Sequence, residues 1–152
     1  MPQVSVRISG RDDSFIHLDN LHRVPLHCSR VKARSISHGV AAAQRCNEAA
    51  SRGYRILPVN PTLIGRALFG MEVAATLADL AEPADVIEVF RRPEFLPGHA
   101  REILSLSWRP AVVWFQLGIR HDGAAEMLAR AGILVVQDRC MMPEHRRLLG
   151  AA

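Results

Sequence analysis

Two adjacent arginines, Arg91 and Arg92, directly follow the apolar run "ADVIEVF". A guanidinium group donates hydrogen bonds in a fixed plane, so arginines at a strand end can bind phosphate oxygens in a bidentate way. The alternative is a solvated pair, or an ion pair with Glu88 or Glu94, that has no binding role. The arginines therefore indicate an anion site, with ordinary surface charge as the competing interpretation.

A neutral amide ends the stretch "GYRILPVNP", which predicts a strand that stops at Asn60 and Pro61. If this is the second strand of a nucleotide-binding fold, an NAD enzyme would place a carboxylate here to accept hydrogen bonds from the ribose hydroxyls. A carboxylate would repel a ribose that carries a phosphate, whereas an amide does not. The chain also has no G-x-G-x-x-G motif. Both features disfavour NAD and fit an adenine nucleotide with a phosphorylated ribose.

Three candidate positions follow the run "AVVWF". Gln116 can donate and accept hydrogen bonds at once, which suits a ligand arm that contains amides, and a glutamine that only ties two loops together is the equal alternative. Leu117 comes next. Gly118 is explained by backbone geometry or by the close approach of a ligand.

Cys140 follows the run "ILVVQD" and lies beside Arg139, and a nearby cation favours the nucleophilic thiolate in general. His145 could act as its base only if the terminal helix folds back. The interpretation we favour is a structural cysteine next to core methionines, and hence a binding protein rather than an enzyme.

Metal and disulfide chemistry are not indicated. The three cysteines lack CxxC spacing, and no secretion signal accompanies them, so we expect reduced thiols. Three histidines recur at five-residue intervals, which fits ligation neither from one helix face nor from one strand face: His17, His22 and His27.

Composition limits the size and partners of the protein. The 152 residues, 49% of them hydrophobic, are enough for one ordinary domain with a core. The net charge of +4 comes from scattered arginines, so a nucleic-acid partner is disfavoured. No apolar run is long enough to cross a bilayer and no signal peptide is present, so we expect a cytoplasmic protein without a membrane partner.

Strands and helices alternate from Ser37 onwards. This order predicts an α/β fold of three layers, a Rossmann-like, doubly wound parallel sheet with helices on both faces. Ligands bind such sheets beyond the carboxyl ends of the strands. The predicted strands are "YRILPVNP", "ADVIEVF", "AVVWFQLG" and "ILVVQD", and the predicted helices are "SHGVAAAQRCNEAASRG", "RRPEFLPGHAREILSLS", "RHDGAAEMLARAG" and "MMPEHRRLLGAA".

Prolines and glycines add two details, one about a predicted helix and one about the stretch between the first two predicted strands. Pro93 and Pro97 should kink their helix or delay its start. We predict a loop around Gly65 and Gly70, followed by a single helical turn near residues 77–80.

The chain divides near Ser37 into a divergent N-terminal segment, 1–36, and the domain proper, 37–152. The segment has little sustained periodicity. Its best strand candidate is "QVSVRISG", in which Val4, Val6 and Ile8 alternate with polar residues, and a disordered extension is the alternative.

Several blocks of the sequence resemble the small stand-alone CoA-binding proteins, which are related to the CoA-binding domain of succinyl-CoA ligase. They are "SRGYRILPVNPTLIGRALFG", "LADLAEPADVIEVFRRPE", "AVVWFQLGI" and "AAEMLARAGILVVQDRCMMPEHRRLLG". The resemblance implies a Rossmann-like sheet with coenzyme A across the strand ends. The function that we favour is the binding of coenzyme A or an acyl-CoA without catalysis by the chain itself. A nucleotide-dependent oxidoreductase, a ligase-like subunit or a degraded CoA site are the alternatives. An acyl-CoA enzyme is an implied partner.

The resemblance also implies where coenzyme A lies. "SHGV" matches the start of the family's first helix, whose free N–H groups favour a diphosphate. A disulfide between Cys140 and the CoA thiol is a separate hypothesis. The implied contacts are Ser37, His38 and Gly39 for the diphosphate, Asn60 and Pro61 for the adenine nucleotide, Phe90 and Arg91 for the next wall, and Gln116, Leu117 and Gly118 for the thiol arm. Arg92 is added as a contact from its place at the strand end.

The front of the chain departs from the family, which opens with a buried apolar strand and a phosphate loop. That strand would lie in the middle of the sheet, where a vacant slot would leave backbone donors and acceptors unpaired. We assign the slot to "QVSVRISG", with an altered reading frame or start as the alternative.

Overall fold

A parallel sheet forms the centre of the protein. The computed structural model describes residues 26–30, 48–51 and 55–149. The strands of the main sheet are β1 (Leu26–Arg30), β2 (Ile56–Val59), β5 (Val86–Phe90), β6 (Val112–Phe115) and β7 (Leu134–Val136), and a small hairpin contains β3 (Ala67–Leu68) and β4 (Met71–Glu72). The helices are α1 (Leu96–Ser105), α2 (Asp122–Arg130) and α3 (Met141–Leu149), and residues 48–51 are also helical.

The main sheet has the strand order β2-β1-β5-β6-β7, with every pair parallel. The chain therefore moves from β1 to one side, returns, and continues on the other side of β1. This reversal confirms the doubly wound architecture, and it places the ligand crevice of such folds beyond the carboxyl ends of β1 and β5.

Apolar side chains from both faces of the sheet form two separate cores. One face packs Ile87, Val113 and Val135 against α1 and α2. The other face packs Val86 and Trp114 against the helical residues 48–51 and the start of α3. Because successive strand residues point to opposite faces, an apolar run such as "VVWF" fills both cores. The three-layer prediction is confirmed.

The strand between β2 and β5 is not the one that we predicted. The candidate "QVSVRISG" lies outside the described residues, and the slot assigned to it is occupied by β1, whose sequence is "LHCSR". Leu26 is in register with Ile56 on one side and with Val86 on the other. Pairing on both sides satisfies the backbone groups that an open slot would leave unpaired.

Within the described residues the other predicted elements are confirmed, with one omission. Of the predicted first helix, 37–53, only residues 48–51 are described, and they are helical. β2, β5, β6 and β7 lie within the predicted strands, and a 3-10 turn at Leu77–Asp79 matches the predicted helical turn. α1 begins late, at Leu96, after a 3-10 turn at Pro93–Phe95. The predicted loop around Gly65 and Gly70 contains the β3–β4 hairpin instead, whose turn residues Phe69 and Gly70 both have positive φ.

No helix in the described part of the chain is long and apolar enough to cross a membrane. The division of the chain at residue 36 stays a prediction, and β1 falls on its N-terminal side.

Candidate functional site

The loops that follow the strands meet at one edge of the sheet because all five strands of the sheet run parallel. The loops after β5 and β6 are neighbours, and the loop after β2 lies across β1 from them. This edge carries nine of the twelve predicted contacts, namely Asn60, Pro61, Phe90, Arg91, Arg92, Gln116, Leu117, Gly118 and Cys140. The other three, Ser37, His38 and Gly39, lie outside the described residues.

Asn60 forms a tight turn at the end of β2. Its side-chain oxygen accepts hydrogen bonds from the backbone N–H of Thr62 at 3.0 Å and from the Thr62 hydroxyl at 2.8 Å. Its backbone N–H donates to the carbonyl of Ala74, and its carbonyl accepts from the N–H of Leu63. The residue is buried, whereas Pro61 is exposed. A side-chain oxygen that caps the turn explains an Asn or Asp here, and the choice of Asn adds no charge to this turn.

The two arginines after β5 have different surroundings. Arg92 is 63% exposed at its side chain and forms an ion pair with Glu94 at 3.5 Å. Arg91 is half-buried, its Nε donates to Nε2 of His99 at 2.7 Å, and its guanidinium carbon lies 5.0 Å from the centre of the Phe95 ring. The ion-pair alternative therefore describes Arg92, and Arg91 is the arginine that the protein holds in a defined position.

The hydrogen bonds of Arg91 continue into α1. Nδ1 of His99 and Oε2 of Glu102 lie 3.0 Å apart, and Oε1 of Glu102 accepts from the backbone N–H of Leu77 at 3.3 Å. Burial lowers the pKa of the Arg91 guanidinium, with the negative charge of Glu102 opposing that effect, and the group stays cationic at neutral pH. The hydrogen bond from His99 is the largest cause that lowers the pKa of Glu102, against burial, which raises it.

The lowered pKa of Glu102 predicts a pH-dependent stability. An ionised Glu102 stabilises the fold fully above its ordinary pKa of 4.5, and this contribution is lost as the pH falls through the lowered value. We expect Glu102→Gln to reduce the free energy of unfolding by about 1 kcal/mol at neutral pH, because the carboxylate is partly exposed. Urea unfolding from pH 7 to pH 3 should show this difference shrinking.

The matched control for Glu102→Gln is Glu126→Gln, since Glu126 forms an exposed ion pair with Arg130 on α2 and should change stability little at any pH. A Glu102→Gln effect of constant size across the pH range would contradict the role given to its charge.

Gln116 is directed into the interior. It is fully buried, and its amide donates to the carboxylate of Glu88, which is also buried in the neighbouring strand. The backbone N–H of Leu117 donates to the Gln116 side-chain oxygen at 3.3 Å. The side chain thus links β5 to β6, as in the structural alternative, and a contact with a ligand stays a prediction.

The loops after β6 and β7 support each other at the edge. The N–H of Gly118 donates to the carboxylate of Asp138 at 2.7 Å, and the N–H of Asp138 donates to the carbonyl of Ile119. Both Gly118 and Asp138 have positive φ, which glycine adopts readily and aspartate tolerates. These bonds fix the exposed Leu117 and Gly118 beside the Arg91 loop.

Cys140 precedes α3 and is a half-buried free thiol. The cation of Arg139 is directed to Glu144, at 2.9 Å, rather than held for a ligand. Burial raises the pKa of Glu144, but Arg147 and Arg139 outweigh it and lower that pKa. The side chain of His145 lies outside the description, so the dyad and the CoA disulfide stay hypotheses. The described residues contain no group of three or more side chains suited to a metal ion.

Some functional candidates were missed from the sequence. His99 and Glu102 lie on α1, away from any strand end. Their i, i+3 spacing on a helix that begins five residues after Arg91 is the sequence feature that could have indicated a contact between them. The exposed large apolar side chains of the described residues also lie in loops at this edge, after β2, β5 and β6: Ile64, Phe95 and Leu117.

Comparisons with known proteins agree with this fold. A family model described as a CoA binding domain matches residues 31–146. The Bacillus subtilis protein YneT, itself uncharacterized, is 38% identical over 109 residues, which are 72% of this chain and 74% of YneT.

Two similar solved structures extend the comparison. A Thermus thermophilus protein known as cell-free ID.343 is 43% identical, with a TM-score of 0.73 over 84% of this chain and 92% of that one. A hypothetical protein from Pyrococcus horikoshii is 25% identical, with a TM-score of 0.72 over 86% of this chain and 87% of its own.

Proposed function

This chain belongs to the CoA binding domain family, and on that premise we propose that it binds coenzyme A or an acyl-CoA at the carboxyl-end edge of its sheet. The proposal includes no catalysis by this chain. The observation that carries it is the presence of a held cation and a neutral amide at one edge: Asn60 follows β2 and Arg91 follows β5, the two strands that flank β1.

The residues at the edge fit the anionic end of coenzyme A. Nε of Arg91 is used by His99, and among the described residues no partner is bonded to its two terminal nitrogens. They can donate to phosphate oxygens in a bidentate way. The turn at Asn60 adds no negative charge, which would oppose a phosphorylated ribose. In this proposal Ser37, His38 and Gly39 bind the diphosphate.

The apolar side chains at the edge suit the rest of the ligand. Leu117 is exposed next to Gly118, where the proposed thiol arm passes, and Ile64 and Phe95 are exposed in the loops after β2 and β5. An acyl chain or the pantetheine arm would remove such side chains from water. An acyl-CoA enzyme as partner and a cytoplasmic location belong to the same proposal.

Thermal unfolding in the presence of coenzyme A, dephospho-CoA, NAD and ADP tests this function. At a hundredfold excess over the dissociation constant, coenzyme A should stabilise the protein by about 2.7 kcal/mol, which raises the melting temperature by roughly 5–10 °C. Coenzyme A should raise the melting temperature more than dephospho-CoA does, because only coenzyme A has the ribose phosphate. No shift with any CoA form would contradict the proposal, and a larger shift with NAD would favour the oxidoreductase alternative.

A further inference from the structure

Arg91 is held more firmly than a surface arginine needs to be. Its guanidinium makes two contacts on one short segment, a hydrogen bond to His99 and a cation–π contact with the Phe95 ring. Both partners follow Arg91 within eight positions, in the 3-10 turn and the first turns of α1. The neighbouring Arg92, by comparison, is paired only at the surface.

The direction of the hydrogen bonds is fixed by chemistry. Nε of arginine can only donate, so Nε2 of His99 must be the acceptor, and the ring proton must be on Nδ1. Nδ1–H then donates to the Glu102 carboxylate, which the Leu77 N–H holds from its other oxygen. A neutral His99 in one tautomer thus links the carboxylate to the guanidinium.

We propose that His99 and Glu102 are positioning residues that orient Arg91 for a phosphate group of the bound nucleotide. This inference rests on the proposed CoA site. A free arginine side chain loses rotamer freedom when it binds, and that loss reduces affinity. Holding Nε and the guanidinium face in advance leaves the two terminal nitrogens for the ligand and removes most of this cost.

A double-mutant cycle with coenzyme A as the probe tests the coupling. His99→Phe keeps a ring of similar size but removes the acceptor, and it should weaken CoA binding about two- to tenfold by calorimetry. The same change in the Arg91→Ala background should have no further effect, because the residue that it positions is gone. His99→Gln can accept and donate, so it should recover part of the affinity.

Equal losses from His99→Phe in both backgrounds, or no loss in either, would overturn the positioning role. Arg101→Ala is the matched control, since Arg101 is an exposed arginine on the same helix outside the proposed site, and it should leave CoA affinity unchanged. A twofold or larger loss for this control would assign the Arg91→Ala loss to net charge and overturn the role given to Arg91.

The tautomer of His99 gives a readout without any ligand. Nitrogen-15 NMR of the wild-type protein should show His99 protonated on Nδ1 and unprotonated on Nε2. Protonation on Nε2 would overturn the hydrogen-bond chain from Arg91 through His99 to Glu102. A wild-type protein that has the Nδ1–H tautomer but does not bind coenzyme A would overturn the proposed function. The hydrogen-bond chain from Arg91 through His99 to Glu102 would still be supported.

Discussion

Replacing Asn60 by aspartate is expected to lower the affinity for coenzyme A by about ten- to a hundredfold while the free protein keeps the turn at the end of β2. An aspartate oxygen can accept the two hydrogen bonds from Thr62, so the turn is kept. The new charge would lie near the ribose phosphate, and two like charges about 5 Å apart at an effective dielectric of about 20 repel by roughly 3 kcal/mol. Because salt screens this repulsion, we expect a loss of about ten- to a hundredfold in affinity rather than the full effect.

Two comparisons make the Asn60→Asp result specific. Dephospho-CoA lacks the ribose phosphate, so its affinity should fall less than that of coenzyme A when both are measured by calorimetry. Asn60→Ala removes the oxygen that caps the turn and should lower the free energy of unfolding by about 1 kcal/mol. Equal losses for both ligands with Asn60→Asp would contradict a ribose phosphate near Asn60.

Replacing Arg91 by alanine should weaken CoA binding by roughly ten- to a hundredfold. Hydrogen bonds between charged partners contribute about 1.5–3 kcal/mol each, and each 1.4 kcal/mol is tenfold in the dissociation constant. Arg91→Lys should recover only part of the loss, because lysine offers a point charge without the planar fork that bonds both His99 and a phosphate. Calorimetric titration at two salt concentrations measures the loss together with the weaker salt dependence expected of the variant.

Arg92→Ala shows whether both arginines contribute. Since Arg92 is mostly exposed and paired with Glu94, Arg92→Ala should reduce the affinity for coenzyme A less than Arg91→Ala does. Arg101→Ala again supplies the control for net charge. A larger effect at Arg92 than at Arg91 would contradict the assignment of the anion contact to the held guanidinium.

Buried strands were predictable from the sequence because their chemistry is local. The runs in β2, β5 and β6 are apolar or nearly so, and burial on both faces of a parallel sheet requires such runs. β1 was missed because "LHCSR" has only two apolar residues, Leu26 and Cys28, which are too few to establish a period. The alternation in "QVSVRISG" is longer and predicted a strand more strongly. The β3–β4 hairpin was missed because each of its strands has only two residues.

The candidate site was predictable in outline and not in its contacts. Strand order places Asn60, Arg91 and Gln116 at one edge, and this follows from the parallel topology. The direction of each side chain does not follow. Glu88 was named as a partner of the arginines, but it lies on a buried strand position and bonds Gln116 instead. The bond of Arg91 to His99 depends on how the turn after β5 enters α1, which spacing alone does not define.

The position of β1 has a consequence for synthesis on the ribosome. β1 is made before every strand that it pairs with, and β5, on its second side, is separated from it by β2 and the hairpin. A nascent chain therefore carries this interior strand with at least one unpaired edge until Val86–Phe90 has emerged. Such edges attract other chains, and pairings between distant segments form slowly.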